Sequence, residues 1–504
     1  MREREGYAAG MAARTTDIKK EVSMECESII LQGGTVVCEH EVLPHHDVVV
    51  VGGRIEAIRP STAGGHFSGR EAVRFPGRED LGEMSLIDSA QSIIDEAAGF
   101  GDDLWPTGQG LRQGPQGPQD GPRQGPIVVD ARGCYVLPGI IDIHSDFIES
   151  VASPRPGVVM DLSAALYKAE RELVAHGVTT IYHSLSIYQS TVFDHKPIRS
   201  FENVSALIAL IQAMRQGEER DHLIRHRLHL RVEVDAFNMY EAVKDYLSRG
   251  LIDLLSFMDH TPGQGQYADL KVYGDTLKGY RNLSDEDVAR IIAEKQAADK
   301  LSMAQLLELS RMARAQGIAL ASHDDDSCEK LDLMEQLETS ISEFPITLDV
   351  AQSARKRGMH TLAGAPNVLL GRSHSANLSA REAVCADMVD VLCSDYYPAA
   401  LLSSAFILHR HCGIGLARAV ALISINPARA VRLDKDFGSI AVGKRADMLC
   451  VREIGGDIPV VAQAFVGGRC VHQSHYPQFE APLEGGHEGP GAGVRAVREE
   501  AEVR

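Results

Sequence analysis

The chain has 504 residues, 44% of them hydrophobic, and a formal net charge of −19. That length exceeds one ordinary domain and can bury a large core, while the negative balance argues against general binding of nucleic acid or anionic membranes. No apolar run approaches the ~20 residues of a membrane helix, and nine scattered cysteines without a CxxC fit a reducing cytoplasm rather than a disulfide frame or a structural zinc site.

Residues 1–27 are charged, lack apolar periodicity and read as a disordered leader without a secretory signal. From 28 to 59 the texture turns β-rich: SIILQGGTVV and DVVVVGGRIEAI are Val/Ile-heavy runs, each broken by a Gly-Gly turn. Residues 60–126 are rich in Gly, Pro and Gln and read as a flexible insertion, with room for a short helix near 85–97. The β-texture resumes over 127–137. A barrel is expected over 138–432, a third β-rich piece over 433–477, and a disordered Gly/Glu-rich tail over 478–504.

Strands and helical stretches alternate after Pro138. PGIIDIHSD, VTTIYHSL, LHLRVEV, IDLLSFMDH, IALASHDDD, EFPITL, HTLAGAPN and DMVDVLCSDYY read as eight strands. Leu162, Ala165, Ala169 and Leu173 recur at helical spacing before Gly177, a C-terminal stop. Ser284 with Asp287 opens a long helical stretch expected to run to Gly317. Eight strands separated by helices predict an α/β fold, a closed (β/α)8 barrel with its active site at the strand C-termini. The β-segments before and after it predict a small β-sandwich.

Polar residues gather at those strand ends. Strand one ends in His144 and Asp146, two apart and so expected to point the same way at the strand terminus. Strand three aligns His229, Arg231 and Glu233 on one face. His260 ends strand four, His323 to Asp326 end strand five, and Asp395 ends strand eight. A lone histidine is more often structural than a ligand, but His, Asp or Glu at the same end of five strands is a plausible cradle for one or two divalent cations. Two stretches suit phosphate oxygens: GAPNVLLGRSHSAN, with Arg372, Ser373, His374 and Asn377, and SPRPG, with Arg155.

PGIIDIHSD, NPARA and GSIAVGKRADMLCV together resemble the amidohydrolase superfamily, whose fold is a metal-dependent (β/α)8 barrel with a β-sandwich made from both chain ends. Within it, HSDFIE, PRPG, MDHTPGQGQ, SHDDDS, EFP, GAPNVLLGRSHSAN and SDYYPAALL are similar to the ribosyl-phosphonate triphosphate diphosphatases of the carbon–phosphorus lyase pathway, over most of residues 128–452. The resemblance implies hydrolysis of a 5-triphosphate to a 5-phosphate and diphosphate. It implies a divalent cation, Zn, Mn or Fe, with His144, Asp146, Glu233, His260, His323 and Asp395 as metal and catalytic candidates. Asp395 is the expected general base, and Arg155, Arg231 and Arg372 the expected phosphate donors. Asp146 stands where the superfamily usually has a second histidine, and His183 receives no role. The alternative is a C–N hydrolase of a cyclic amide or amino sugar on the same barrel. The expected partner is a small phosphorylated sugar phosphonate, without nucleic acid or membrane; homo-oligomer formation stays open.

Overall fold

The computed structural model describes residues 28–62, 126–188, 197–265, 269–280, 283–371, 378–455 and 457–476. The expected leader, nearly all of the Gly/Pro/Gln-rich insertion and the expected tail lie outside them. Two compact units divide the chain at Gln473, and everything below concerns the first.

Strands β1 (Ile29–Val37), β2 (Val42–Val51), β3 (Arg54–Pro60), β4 (Ile127–Asp130) and β5 (Tyr135–Pro138) precede the barrel. Strands β6 (Ile140–Ser145), β7 (Val178–Ile187), β8 (Arg225–Glu233), β9 (Leu254–Met258), β10 (Ala319–His323), β11 (Ile341–Glu343), β12 (His360–Gly364) and β13 (Val391–Cys393) form it. Strands β14 (Met448–Ile454), β15 (Ile458–Val466) and β16 (Arg469–Gln473) follow.

The barrel strands pair in sequence order, every pair parallel. Between β13 and β6 the circle closes through a bridge of Ser145 and Asp395. Asp146 N donates to Asp395 O at 2.8 Å and Asp395 N to His144 O at 3.0 Å. All eight expected strands are present. Both faces of a barrel wall are covered, so the strands read as near-continuous apolar runs; every residue of β7 is buried.

Several helices start where the sequence offers a cap. Ser302 and Gln305 make a reciprocal capping box at helix Met303–Ala315, and Ser284 accepts from Asp287 N at helix Asp285–Gln296. The single long helix expected over 284–317 is therefore two. Strand β11 also differs from expectation. It ends at Glu343, because Phe344 takes a left-handed backbone (φ 55°) and Pro345 follows, so FPITL leaves the sheet.

The second sheet runs β16-β15-β14-β5-β1-β2-β3, with β4 also paired to β1. Residues from both sides of the barrel in sequence, among them Leu31, Val48, Ile55, Val136, Met448 and Phe465, share one apolar core, so the sheet packs on itself as the expected small sandwich. Gly139 alone joins β5 of the sandwich to β6 of the barrel. A Cβ there would lie 2.3 Å from Thr179 Oγ1, closer than any side chain tolerates.

Candidate metal centre

Alternation along β8 sends Leu228, Leu230 and Val232 to the helix layer and turns His229, Arg231 and Glu233 into the barrel. At that mouth the interior histidines meet partners from other strands. His144 Nδ1 lies 2.9 Å from Glu343 Oε1, both side chains essentially inaccessible to solvent. The His144 ring also packs 5.0 Å from that of His229 and 5.5 Å from that of His323, centroid to centroid. Phe344 closes over the pair, 4.9 Å from His144 and 5.2 Å from His323.

His229 is held by two hydroxyls, Ser184 Oγ at 3.0 Å from Nδ1 and Ser256 Oγ at 2.9 Å from Nε2. Arg231 Nη2 donates to His323 Nε2 at 3.0 Å. His260 Nδ1 sits 2.7 Å from Glu233 Oε2, and its backbone N–H donates to Glu233 Oε1 at 2.6 Å. His260 Nε2 lies 3.5 Å from Asp324 Oδ2, which is also 3.2 Å from His323 Nδ1. Donor atoms of His144, His323 and Glu343 lie within 4.8 Å of one another, and so do those of His260, His323 and Asp324. His323 belongs to both groups.

A turn under strain presents these groups. Asp324 takes a left-handed backbone (φ 52°). Lys330 Nζ fixes it by donating to the carbonyls of His323 and Asp324, at 2.7 and 3.0 Å. The buried Asp325 carboxylate accepts from the hydroxyls of Ser322 and Ser342 beneath the turn. Asp326 accepts from Gly265 N at 2.7 Å, tying in the loop after β9.

Charge is distributed unevenly among the histidines. Burial, with Arg231 beside it, holds His144 well below its ordinary range. His323 is lowered to about 4 and His229 to about 3, burial first in each case. Burial also opposes charging His260, but Glu233 and Asp324 outweigh it and raise the ring to about 10. Asp395 is pushed up to about 7 by burial and then by the Asp146 carboxylate.

A divalent cation fits this donor set. Glu343 Oε2 is buried without a hydrogen-bond partner, and Asp324 Oδ2 and His323 Nδ1, also buried, face each other at 3.2 Å without hydrogen-bond geometry. Leaving such atoms unmet costs about 1–3 kcal/mol each, which a shared cation would offset. Imidazole and carboxylate together suit Zn, Mn or Fe.

The family model for the amidohydrolase family matches residues 281–471. The alpha-D-ribose 1-methylphosphonate 5-triphosphate diphosphatase of Escherichia coli (strain K12) is 36% identical over 328 residues, which cover 64% of this chain and 85% of that protein. The chain belongs to the amidohydrolase family. This amidohydrolase is also 39% identical over 101 residues to a dihydroorotase of Methanopyrus kandleri, over 17% of this chain and 23% of that protein. Molinate hydrolase superposes with a TM-score of 0.52 at 13% identity, covering 92% of this chain and 100% of that one, which speaks for the fold alone. The chain is thus a hydrolase of a family generally dependent on divalent metal.

Of the six residues expected at the metal, His144, His260 and His323 converge. Glu233 touches the group through His260, and Asp395 stands at the barrel seam. Asp146 lies beside Asp395 at the seam, outside the histidine group. Strand β6 ends at Ser145, and Asp146 takes φ −95°, ψ 14° as it caps helix Phe147–Ala152, so the two-residue alternation stops before it. Its Oδ2 lies 3.8 Å from Arg199 Nη2. Arg155 is exposed, Arg231 is half-buried against His323, and Arg372, Ser373, His374 and Asn377 lie outside the described residues. Sequence reasoning left out Glu343 and singled out no role for Asp324. The signal for Glu343 was present in EFP, a carboxylate ending a buried strand.

Proposed function

We propose that this amidohydrolase hydrolyses alpha-D-ribose 1-methylphosphonate 5-triphosphate to the 5-phosphate and diphosphate, in the cytoplasm, as a step of alkylphosphonate catabolism. The observation that carries this reading is the match to the Escherichia coli diphosphatase across 85% of that protein's length.

His144, His323, Glu343 and Asp324 would hold the cation, joined by His260 once its ring loses the proton that Glu233 and Asp324 hold on it, with Glu233 orienting the ring through Nδ1. A bound divalent ion supplies Lewis-acid stabilisation of phosphoryl oxygens and makes water nucleophilic at neutral pH. Asp395 accepts the proton of the attacking water. A carboxyl near 7 is matched to that task at neutral pH, and the bridge to Ser145 fixes its position. Arg231 brings a permanent positive charge to the mouth of an acidic protein, where an anionic substrate needs one. The leaving diphosphate departs with the cleaved phosphoanhydride oxygen.

Purified, metal-reconstituted protein should release diphosphate from the ribosyl phosphonate triphosphate. It should neither open hydantoin or dihydroorotate rings nor deacetylate amino sugars. Ring opening or deacetylation without diphosphate release would make the C–N hydrolase reading the correct one.

A further inference from the structure

His183, which the candidate centre does not use, belongs to a second histidine cluster on the other side of the barrel wall. On β7, Ile181 and Leu185 flank His183 and pack into the helix layer; on β8, Leu228 and Leu230 do the same next to His226. His183 and His226 therefore point outward, toward helix Leu162–Ala175 and the end of helix Phe201–Asp221. Glu170 comes from the first of these helices, and His222 follows the second. All four side chains are buried, His226 completely.

Three features of this cluster go beyond ordinary packing. First, the carboxylate is preset. Glu170 Oε1 accepts from the backbone N–H groups of Leu223 and Ile224, which leaves Oε2 turned toward the histidines. Second, Oε2 lies 3.3 Å from His222 Nδ1 and 3.8 Å from His226 Nε2, and one donor atom from each of the three side chains lies within 4.8 Å of the others. Donors on a tetrahedral ion with bonds of about 2.1 Å stand about 3.4 Å apart. Third, His226 Nε2 is fully buried and has no hydrogen-bond partner. Its other nitrogen, Nδ1, is engaged by His183 Nε2 at 2.9 Å in a stacked pair. Ligand histidines are oriented in this way, through the nitrogen that does not bind.

We propose that Glu170, His222 and His226 form a structural site for a borderline divalent transition ion, zinc first, with His183 as the positioning residue behind His226. Two imidazoles and one carboxylate supply three of zinc's four positions and leave the fourth to a water. The ion would staple the start of β8 to the helix layer, on the same strand that carries His229, Arg231 and Glu233 inward. No cysteine takes part, so the cysteine pattern gives no sign of the site.

The test is metal stoichiometry. The full-length protein is stripped with chelator, reloaded with zinc, desalted and measured by elemental analysis, alongside His222→Gln and Glu170→Gln. The wild type should hold one more ion per chain than either variant, whatever the candidate centre inside the barrel holds. Equal content overturns the proposal. Anomalous diffraction at the zinc edge from wild-type crystals decides the matter should the variants fold poorly. A peak between Glu170, His222 and His226 is expected, and its absence overturns the site independently of any variant.

Discussion

Asp395 and Asp142 are both carboxyls raised to about 7 by burial, yet they have opposite uses. Asp395 stands at the seam with Arg231 and Asp324 among its charged neighbours, and in the proposed reaction it is the base that loses and regains a proton. Asp395→Asn should lower kcat by roughly 10²–10⁴-fold while leaving substrate affinity nearly unchanged, measured by diphosphate release. Unchanged turnover would remove Asp395 from the reaction. Asp142 is enclosed by the seam: Ser394 N donates to Oδ1 at 3.1 Å, and Ser394 Oγ lies 2.5 Å from Oδ2 and 2.7 Å from Ser145 Oγ. Its folded value lies above the usual carboxylate range, so the protonated form favours the fold. The associated stability is complete below about pH 4 and is lost as pH rises through 7. Asparagine mimics the neutral acid. Asp142→Asn should flatten the fall in stability between pH 4 and 8, by an amount on the order of 3 kcal/mol, read from urea titrations at the two ends.

At the scale of elements, existence and type were legible while ends were not. Long buried runs of Ile, Val and Leu gave all eight barrel strands, because period and composition act over many residues. Strand ends turn on single backbone angles. Asp146 and Glu343 each sit within a residue of an end, where the sequence pattern places side chains least well. Asp146 falls just after β6 stops, and Glu343 is the last residue of a strand placed too late in the sequence. The same locality makes Gly139 decisive. A methyl at its Cα meets Thr179 at the junction of sandwich and barrel. Gly139→Ala should destabilise the fold by about 1–3 kcal/mol. Thr179→Ala in the same chain should recover part of the loss, both measured by denaturant midpoint.

At the scale of the molecule, the sandwich is sewn from three separated stretches, and the long Gly/Pro/Gln-rich segment enters between β3 and β4. In the sheet, β3 and β4 are separated by β2 and β1, three strand spacings or about 15 Å. The ends are also offset along the strands, Pro60 lying level with Gly34 through His46 and Ile127 level with Ile29, five residues or about 17 Å, so a linker of about twenty Gly/Ser residues spans the gap with slack. Replacing residues 63–125 by such a linker should leave the thermal midpoint within about 3 °C and diphosphate release within twofold; a collapse of either would give the segment a part in the fold or the site. Composition had marked this segment as separable, since it offers no apolar face to bury. Which histidines face inward and which outward was legible on β8 alone, where three alternate polar residues made the pattern plain.

The barrel is a ring fastened at one point, and Asp395 is part of the clasp. A short run of backbone bonds around Ser145, Asp146 and Asp395, with Ser394 hydrogen-bonded to Asp142 and Ser145 beside it, joins the last staves to the first. Loosening that fastening displaces Asp395, the proposed proton acceptor, while the remaining wall stays intact. Mild urea should thus silence the enzyme before circular dichroism registers any loss of helix, and the amides of Asp146 and Asp395 should be the first at the barrel mouth to exchange with heavy water.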